Sequence, residues 1–152
     1  MNTLKVGDAI PAFETTDHLG NTVTQADFSG KRVVLFFYPK ANTPGCTAEA
    51  CDLRDHYAEL QAAGYSLYGV SADSETKQKN FATKYTFPFP LLADESKSLI
   101  EGFGVWGPKK FMGKEYDGIH RMTFIIGADG TVERVIDKVK TKTHAAQILE
   151  GN

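Results

Sequence analysis

The sequence predicts an α/β fold in which helices flank a mixed central β-sheet and a β-hairpin stands at the N-terminus. Three observations carry this prediction. Runs of β-branched and aromatic residues alternate with stretches of helical period, and turn residues separate most of these runs. At 152 residues the chain is about one ordinary domain long. No repeat, low-complexity tract or linker interrupts it, so a single domain spanning 1–152 is expected.

Each element has its own local reason. Asp17-His18-Leu19-Gly20-Asn21 separates Ala12–Thr15 from Thr22–Thr24, which reads as the first hairpin. Arg32–Tyr38 is apolar after its first residue, without polar alternation, as in a central strand covered on both faces. From Pro44 to Ala63 the period becomes helical, with Leu53, Tyr57 and Leu60 on one stripe and Gly64 placed as a C-cap. Tyr65–Ser71 is the next strand. Ser74 is an N-cap for a helix carrying Lys77, Phe81 and Tyr85, and Phe87-Pro88-Phe89-Pro90 ends that helix before the extended Leu91-Leu92-Ala93. A short helix is expected at Ser96–Phe103. Met122–Ile126 and Thr131–Ile136 flank Gly127-Ala128-Asp129-Gly130 as a second hairpin, and a helix over Thr143–Glu150 closes the chain.

Composition excludes several functions. Lysine plus arginine is 17 against 19 acids, and a net charge of −2 argues against nucleic-acid binding. The longest apolar run, Val33–Tyr38, is far short of the ~20 residues of a membrane helix. Met1–Asp8 contains no apolar stretch of secretory type, so a cytosolic home is expected. In that compartment two cysteines are not a structural disulfide framework. They are either inert core residues or chemistry.

The segment from Tyr38 to Cys51 joins the C-terminal end of a buried strand to a helix N-terminus, where open α/β sheets place their sites. Thr43 is a suitable N-cap and Pro44 a suitable first helical residue, which makes Cys46 the third. A sulfur there lies among orphan backbone N–H groups at the positive end of the helix dipole, an environment that stabilises thiolates. Gly45 leaves room for a small ligand to approach the backbone. Cys51 is five positions on. In an intact helix that spacing puts the two Cα atoms about 8.5 Å apart with sulfurs pointing about 140° from one another. A disulfide requires less than about 7 Å, so the pair can bond only if the helix opens.

Pro39-x-x-x-Thr43-x-x-Cys46 resembles the active-site signature of the peroxiredoxins. The longer run from Phe37 through Cys51 resembles their Q-type branch, the bacterioferritin comigratory protein group. The likeness extends over nearly the whole chain. It includes Val6-Gly7-Asp8-x-x-Pro11-x-Phe13, Leu91-Leu92-Ala93-Asp94 and Gly118-Ile119-His120-Arg121-x-Thr123-Phe124-Ile125-Ile126. Most of the branch has aspartate where this chain has Ala41, a position given no catalytic role here.

The resemblance implies a thioredoxin-like fold, which the order of elements suits, and a peroxidase of hydrogen peroxide and organic hydroperoxides. It implies Cys46 as the peroxidatic nucleophile and Cys51 as the resolving thiol, with the disulfide formed after local unfolding. Charge develops on the departing oxygen, and donors aimed at it accelerate the step. The implied donors are the Thr43 hydroxyl, the N–H groups near Gly45 and Cys46, and Arg121. Pro39 is expected to shield the sulfur and shape the loop. Glu49 and Arg54 match the family pattern behind it, with solvated helix charges as the alternative. The implied reductant is thioredoxin, less often glutaredoxin, and neither cofactor nor metal is required. A monomer is expected, since no long exposed strand or apolar stripe asks for a partner.

Other signals are set aside. Gly102-Phe103-Gly104-Val105-Trp106-Gly107 fits G-x-G-x-x-G by letter but follows a helical segment, so it is a chance match. His18, His56, His120 and His144 share no metal-ligand spacing with either cysteine. Phe37, Phe89 and Trp106 read as core, with an apolar collar for bulky substrates as the alternative. Lys138, Lys140 and Lys142 read as a solvated face. Two rival functions stand beside the peroxidase: a protein disulfide oxidoreductase, which would more naturally carry C-x-x-C, and a binding domain with two inert thiols.

Overall fold

A computed structural model describes residues 1–150, two short of the span expected for the domain. The elements run β1 (Glu14–Asp17), β2 (Thr22–Thr24), a 3₁₀ turn (Gln25–Phe28), β3 (Arg32–Phe37), α1 (Pro44–Asp55), α2 (Tyr57–Ala62), β4 (Tyr65–Ser71), α3 (Glu75–Tyr85), β5 (Leu91–Ala93), α4 (Ser98–Gly102), β6 (Trp106–Phe111), β7 (Lys114–Ile119), β8 (Met122–Ile126), β9 (Val132–Ile136) and α5 (His144–Leu149). Seven strands form one mixed sheet in the order β2-β1-β5-β4-β3-β8-β9. β3, β4 and β5 are parallel, while β1, β2, β8 and β9 join antiparallel. This is the thioredoxin-like α/β fold that the sequence implies, with its N-terminal hairpin in place.

β3 lies at the centre, and Val33 through Phe37 are each 0% exposed. Its side chains alternate between two cores. Val34, Phe36 and Tyr38 pack with Ala50, Leu53, Leu60, Phe81 and Ile148 under the α1, α2, α3 and α5 helices. Val33, Leu35 and Phe37 pack on the other face with Phe28, Leu99, Phe103 and Phe124. Each fully buried side chain of this size contributes roughly 1.5–3 kcal/mol, so both faces hold the strand in register.

That register positions the site. β8 runs antiparallel to β3, with Phe37 opposite Met122. Arg121 therefore emerges beside the C-terminal end of β3, at the same sheet edge as the loop into α1. Two residues about eighty positions apart in sequence share one corner because of this pairing.

Two elements differ in kind from the sequence reading. The helix expected over 44–63 is interrupted at His56, whose backbone (φ −112°, ψ 17°) leaves the helical region. Its ring Nδ1 lies 2.9 Å from the Asp52 carbonyl, which also accepts the His56 N–H, so side chain and backbone compete for one acceptor. The β6–β7 ribbon has no counterpart in the sequence prediction. It is rich in Gly, Pro and Lys, largely exposed, and turns at Met112-Gly113 with φ of 52° and 80°. The collar fails because Phe37 and Phe89 lie in opposite cores, and Trp106 packs with the core of Phe37. Gly102 ends a helix and Gly107 sits in a strand, as suits a chance motif.

Gly69 keeps β3, β4 and β5 close. A Cβ there would come within 2.8 Å of both Phe36 Cζ and Leu91 Cδ2. Gly69→Ala is expected to lower stability by about 1–3 kcal/mol in urea denaturation through overpacking. An unchanged midpoint and slope would show that these side chains yield freely.

Candidate active site

The loop after β3 is held from below. Asp73, just past β4, accepts the Ala41 N–H at 2.8 Å and the Ser71 hydroxyl at 2.7 Å. Ser71 accepts from Gln78 Nε2 at 2.9 Å, and Gln78 Oε1 accepts from the Tyr38 hydroxyl at 2.5 Å. Asn42 has φ 62°, and its side-chain oxygen accepts from the Tyr85 hydroxyl at 3.3 Å. The chain thus reaches Thr43 in a fixed direction and starts α1 with Pro44 in the first turn.

Thr43 is at the N-cap position, but its side chain does not cap. Its hydroxyl donates to the Lys40 carbonyl at 2.8 Å. With its one hydrogen turned into the loop, Oγ1 presents lone pairs, so here it is an acceptor and not the donor expected from sequence. Thr47 N–H closes the first intrahelical bond on the Thr43 carbonyl at 2.8 Å. The N–H groups of Gly45 and Cys46 precede that bond and have no helical partner.

Cys46 is buried at 2% exposure in the core beneath α1, with its sulfur turned to Arg121. Arg121 Nη2 donates to Cys46 Sγ at 3.3 Å, and Nη1 donates to Glu49 Oε1 at 2.6 Å. Gly45 has a role the sequence did not suggest. A Cβ there would meet Arg121 Nη2 at 3.1 Å, so the missing side chain makes room for the guanidinium.

Glu49 is 0% exposed, and burial raises its carboxyl to about 7 against the opposing pull of Arg121. Burial also works against the Arg121 charge, but Glu49 and the Cys46 sulfur outweigh it and hold that charge more firmly than usual. Lys109 on β6 donates to the Ile119 carbonyl at 2.8 Å, and burial followed by the Arg121 charge pulls its ammonium below the ordinary range.

The remaining expected residues separate. Pro39 is half-buried at the mouth of the loop. Cys51 is half-buried on α1 beside the same core as Cys46, and both thiols are free. Burial raises the Cys51 thiol, with Arg54 opposing and Asp55 adding to the shift. Arg54 acts on Cys51 through its charge and has its own bonds elsewhere: it bonds Asp55 at 3.0 Å and donates to the Tyr85 carbonyl at 2.7 Å, which pins the far end of α1. Sequence reasoning missed Asp73 and His144. Neither carries a local signal, since each reaches its partners only through the fold. Among the described residues no cluster of three or more His, Cys, Asp or Glu could hold a metal ion.

This corner, with a buried sulfur at a helix N-terminus gripped by an arginine from a facing strand, is suited to splitting a small polarisable bond. The comparisons agree with it. The AhpC/TSA family profile matches residues 6–135. Peroxiredoxin Bcp of Escherichia coli (strain K12) is 51% identical over 149 residues, covering 98% of this chain and 96% of that protein. Peroxiredoxin Bcp of Bacillus subtilis (strain 168) is 44% identical over 148 residues, covering 97% and 94%. A solved structure of the Xanthomonas campestris bacterioferritin comigratory protein, reported for its alkyl peroxide reduction activity, is 34% identical. It covers 97% of this chain and 96% of its own, with a TM-score of 0.89. The chain belongs to the AhpC/TSA family as a peroxiredoxin of the Bcp branch, an enzyme that reduces peroxide at the expense of a thiol.

The raised Glu49 carboxyl has a consequence for stability. The folded state binds this proton more tightly than the unfolded chain does. Stability from this group is therefore present below the ordinary carboxylate range and lost as pH rises towards about 7. Glu49→Gln is expected to remove that component of the pH dependence in denaturation curves. An identical pH slope in wild type and variant would contradict the assignment.

Proposed function

We propose that Cys46 is the peroxidatic nucleophile, that Arg121 and the first turn of α1 stabilise the transition state, and that Cys51 resolves the product. The observation that carries the reading is the single guanidinium bridging Cys46 Sγ at 3.3 Å and Glu49 Oε1 at 2.6 Å. A cation in that position attracts both an ionised sulfur and the oxygen that departs when the O–O bond breaks.

In the first step the Cys46 thiolate attacks the terminal oxygen of R–O–OH. An S–O bond forms and the O–O bond breaks, so sulfur is oxidised by two electrons and RO⁻ leaves. RO⁻ takes a proton from water to give ROH. Arg121 and the N–H groups of Gly45 and Cys46 face the developing charge, and Thr43 Oγ1 accepts from the peroxide O–H. Pro39 closes the outer side of this pocket. Hydrogen peroxide and alkyl hydroperoxides both fit this scheme, since only the –O–OH group is handled.

In the second step the Cys51 thiol attacks the Cys46 sulfenic acid, releasing water and forming the disulfide. The helix spacing forbids this bond while α1 is intact, so its first turns open. Opening also lifts the burial that raises the Cys51 thiol. An external dithiol then restores both thiols by exchange, and thioredoxin fits this role, with glutaredoxin as the alternative. The chain acts as one domain and as a monomer, a reading supported by short edge strands of three and five residues in β2 and β9. No helix among the described residues is long and apolar enough to cross a membrane, and cytosolic action is part of the proposal.

Cys46→Ser is expected to abolish peroxide turnover with thioredoxin. Cys51→Ser should consume about one equivalent of peroxide and stop at the sulfenic acid, detectable by dimedone labelling. Sustained turnover in Cys51→Ser would overturn its resolving role. Arg121→Met should slow Cys46 oxidation by about 10²–10³ in stopped flow, the usual loss for one such donor.

A further inference from the structure

His144 is the buried titratable group that the scheme above does not use. It opens α5, is 0% exposed, and its Nε2 lies 3.6 Å from Glu49 Oε2. Oε2 has no hydrogen-bond partner, although the other oxygen of the same carboxyl is held by Arg121. A fully buried carboxyl oxygen without a donor is costly unless a proton comes to it.

The tautomer of His144 follows from its surroundings. Gln147 Oε1 accepts the Lys140 backbone N–H at 2.8 Å, while Gln147 Nε2 donates to the Lys138 carbonyl at 2.9 Å. The amide orientation is thereby fixed, and Oε1 can only accept from His144 Nδ1, 2.8 Å away. In the neutral ring Nδ1 carries the hydrogen and Nε2 is bare. The Thr123 hydroxyl, 2.7 Å from Nε2, is its donor in this state. Burial lowers the His144 imidazole, with Gln147 and Asp52 opposing and Arg121 and Arg134 adding to the shift.

The helix that carries the ring is tied to its neighbours. Asp52 on α1 accepts the Ala145 N–H at 2.8 Å, and Arg134 on β9 donates to the carbonyls of Ile148 and Gln147. The groups facing the pair are therefore Arg121 at the sheet edge, Cys46 and Asp52 on α1 and Arg134 on β9. Lys109 on β6 stands beyond Arg121.

We propose that His144 is a positioning residue for peroxide reduction: its bare Nε2 edge faces Glu49 Oε2 in a buried carboxyl–imidazole pair and favours the carboxyl that keeps its proton. This rests on the reading of Arg121 given above. While the pair keeps its proton, Glu49 presents no net charge to Arg121, and the guanidinium acts fully on the sulfur and the departing oxygen. When the proton leaves, a carboxylate draws Arg121 from the opposite side. Peroxide reactivity then falls as the pair titrates with rising pH.

The test has two arms on the reduced, full-length protein. In ¹⁵N NMR of the wild-type histidines, His144 should show the neutral Nδ1–H tautomer at pH ~7. Its Nε2 signal should move as Glu49 titrates, and Glu49→Gln should abolish that movement. In stopped flow, His144→Asn keeps a donor towards Gln147 but removes the ring edge facing Oε2. The alkaline limb of its pH–rate profile should shift to lower pH by about one unit. An Nε2–H tautomer, an Nε2 titration unchanged in Glu49→Gln, or superimposable pH–rate profiles would each overturn the proposal. If His144→Asn does not fold, the NMR comparison decides alone. An Arg121→Met enzyme of undiminished rate would instead sink the underlying reading of Arg121, leaving the His144 titration as measured.

Discussion

A carboxyl group with no exposed surface stands 2.6 Å from a guanidinium, and the same guanidinium stands 3.3 Å from a sulfur. Removing charges from water is expensive, and a buried pair repays it only with good geometry and further hydrogen bonds. Here the geometry has three sources in two parts of the fold. α1 supplies Glu49 and Cys46, the antiparallel pairing of β3 with β8 delivers Arg121, and Gly45 leaves the space it occupies. Loss of any one would leave a buried charge without its counterpart. The site is thus a constraint on the fold as much as a product of it.

The parts legible in the sequence are those with local causes. The apolar run of β3, the Thr43-Pro44 helix start and the hairpin around Gly127–Gly130 are written in residues a few positions apart. The Cys46 corner was legible too, because a strand end, an N-cap residue and a cysteine follow one another in order. Arg121 needed either the family resemblance or the sheet register, since nothing near it in sequence marks it. His144 read as one scattered histidine among four, and its neighbours Glu49 and Thr123 lie 95 and 21 positions away. Arg54 shows the opposite failure. It shares the motif with Cys46 and Glu49, yet its position on the helix turns it to the Tyr85 carbonyl.

Thr43 and Gly45 show that a correct position can carry a different physical role. Thr43 begins the helix as expected, but its hydroxyl bonds the Lys40 carbonyl and offers the site an acceptor. The missing side chain of Gly45 makes room for an arginine, a role its place in the motif does not announce. The Gly45 difference comes from a residue far along the chain, which local sequence cannot describe, whereas Thr43 turns to a carbonyl only three positions back.

The anchors of α1 are unevenly distributed along its length. Asp52 is tied to α5 and Arg54 to the end of α3, and both lie past Cys51. Among the described residues, the side-chain ties of α1 before Cys51 are those of Cys46 and Glu49, and both run to the one guanidinium of Arg121. A helix whose near end hangs on one residue frays from that end and stops where the independent ties begin. Rewinding then adds residues to a surviving stub, which avoids the unfavourable nucleation that makes short isolated helices marginal in water. The asymmetry of two polar contacts turns what would be a folding event in every catalytic cycle into mere elongation.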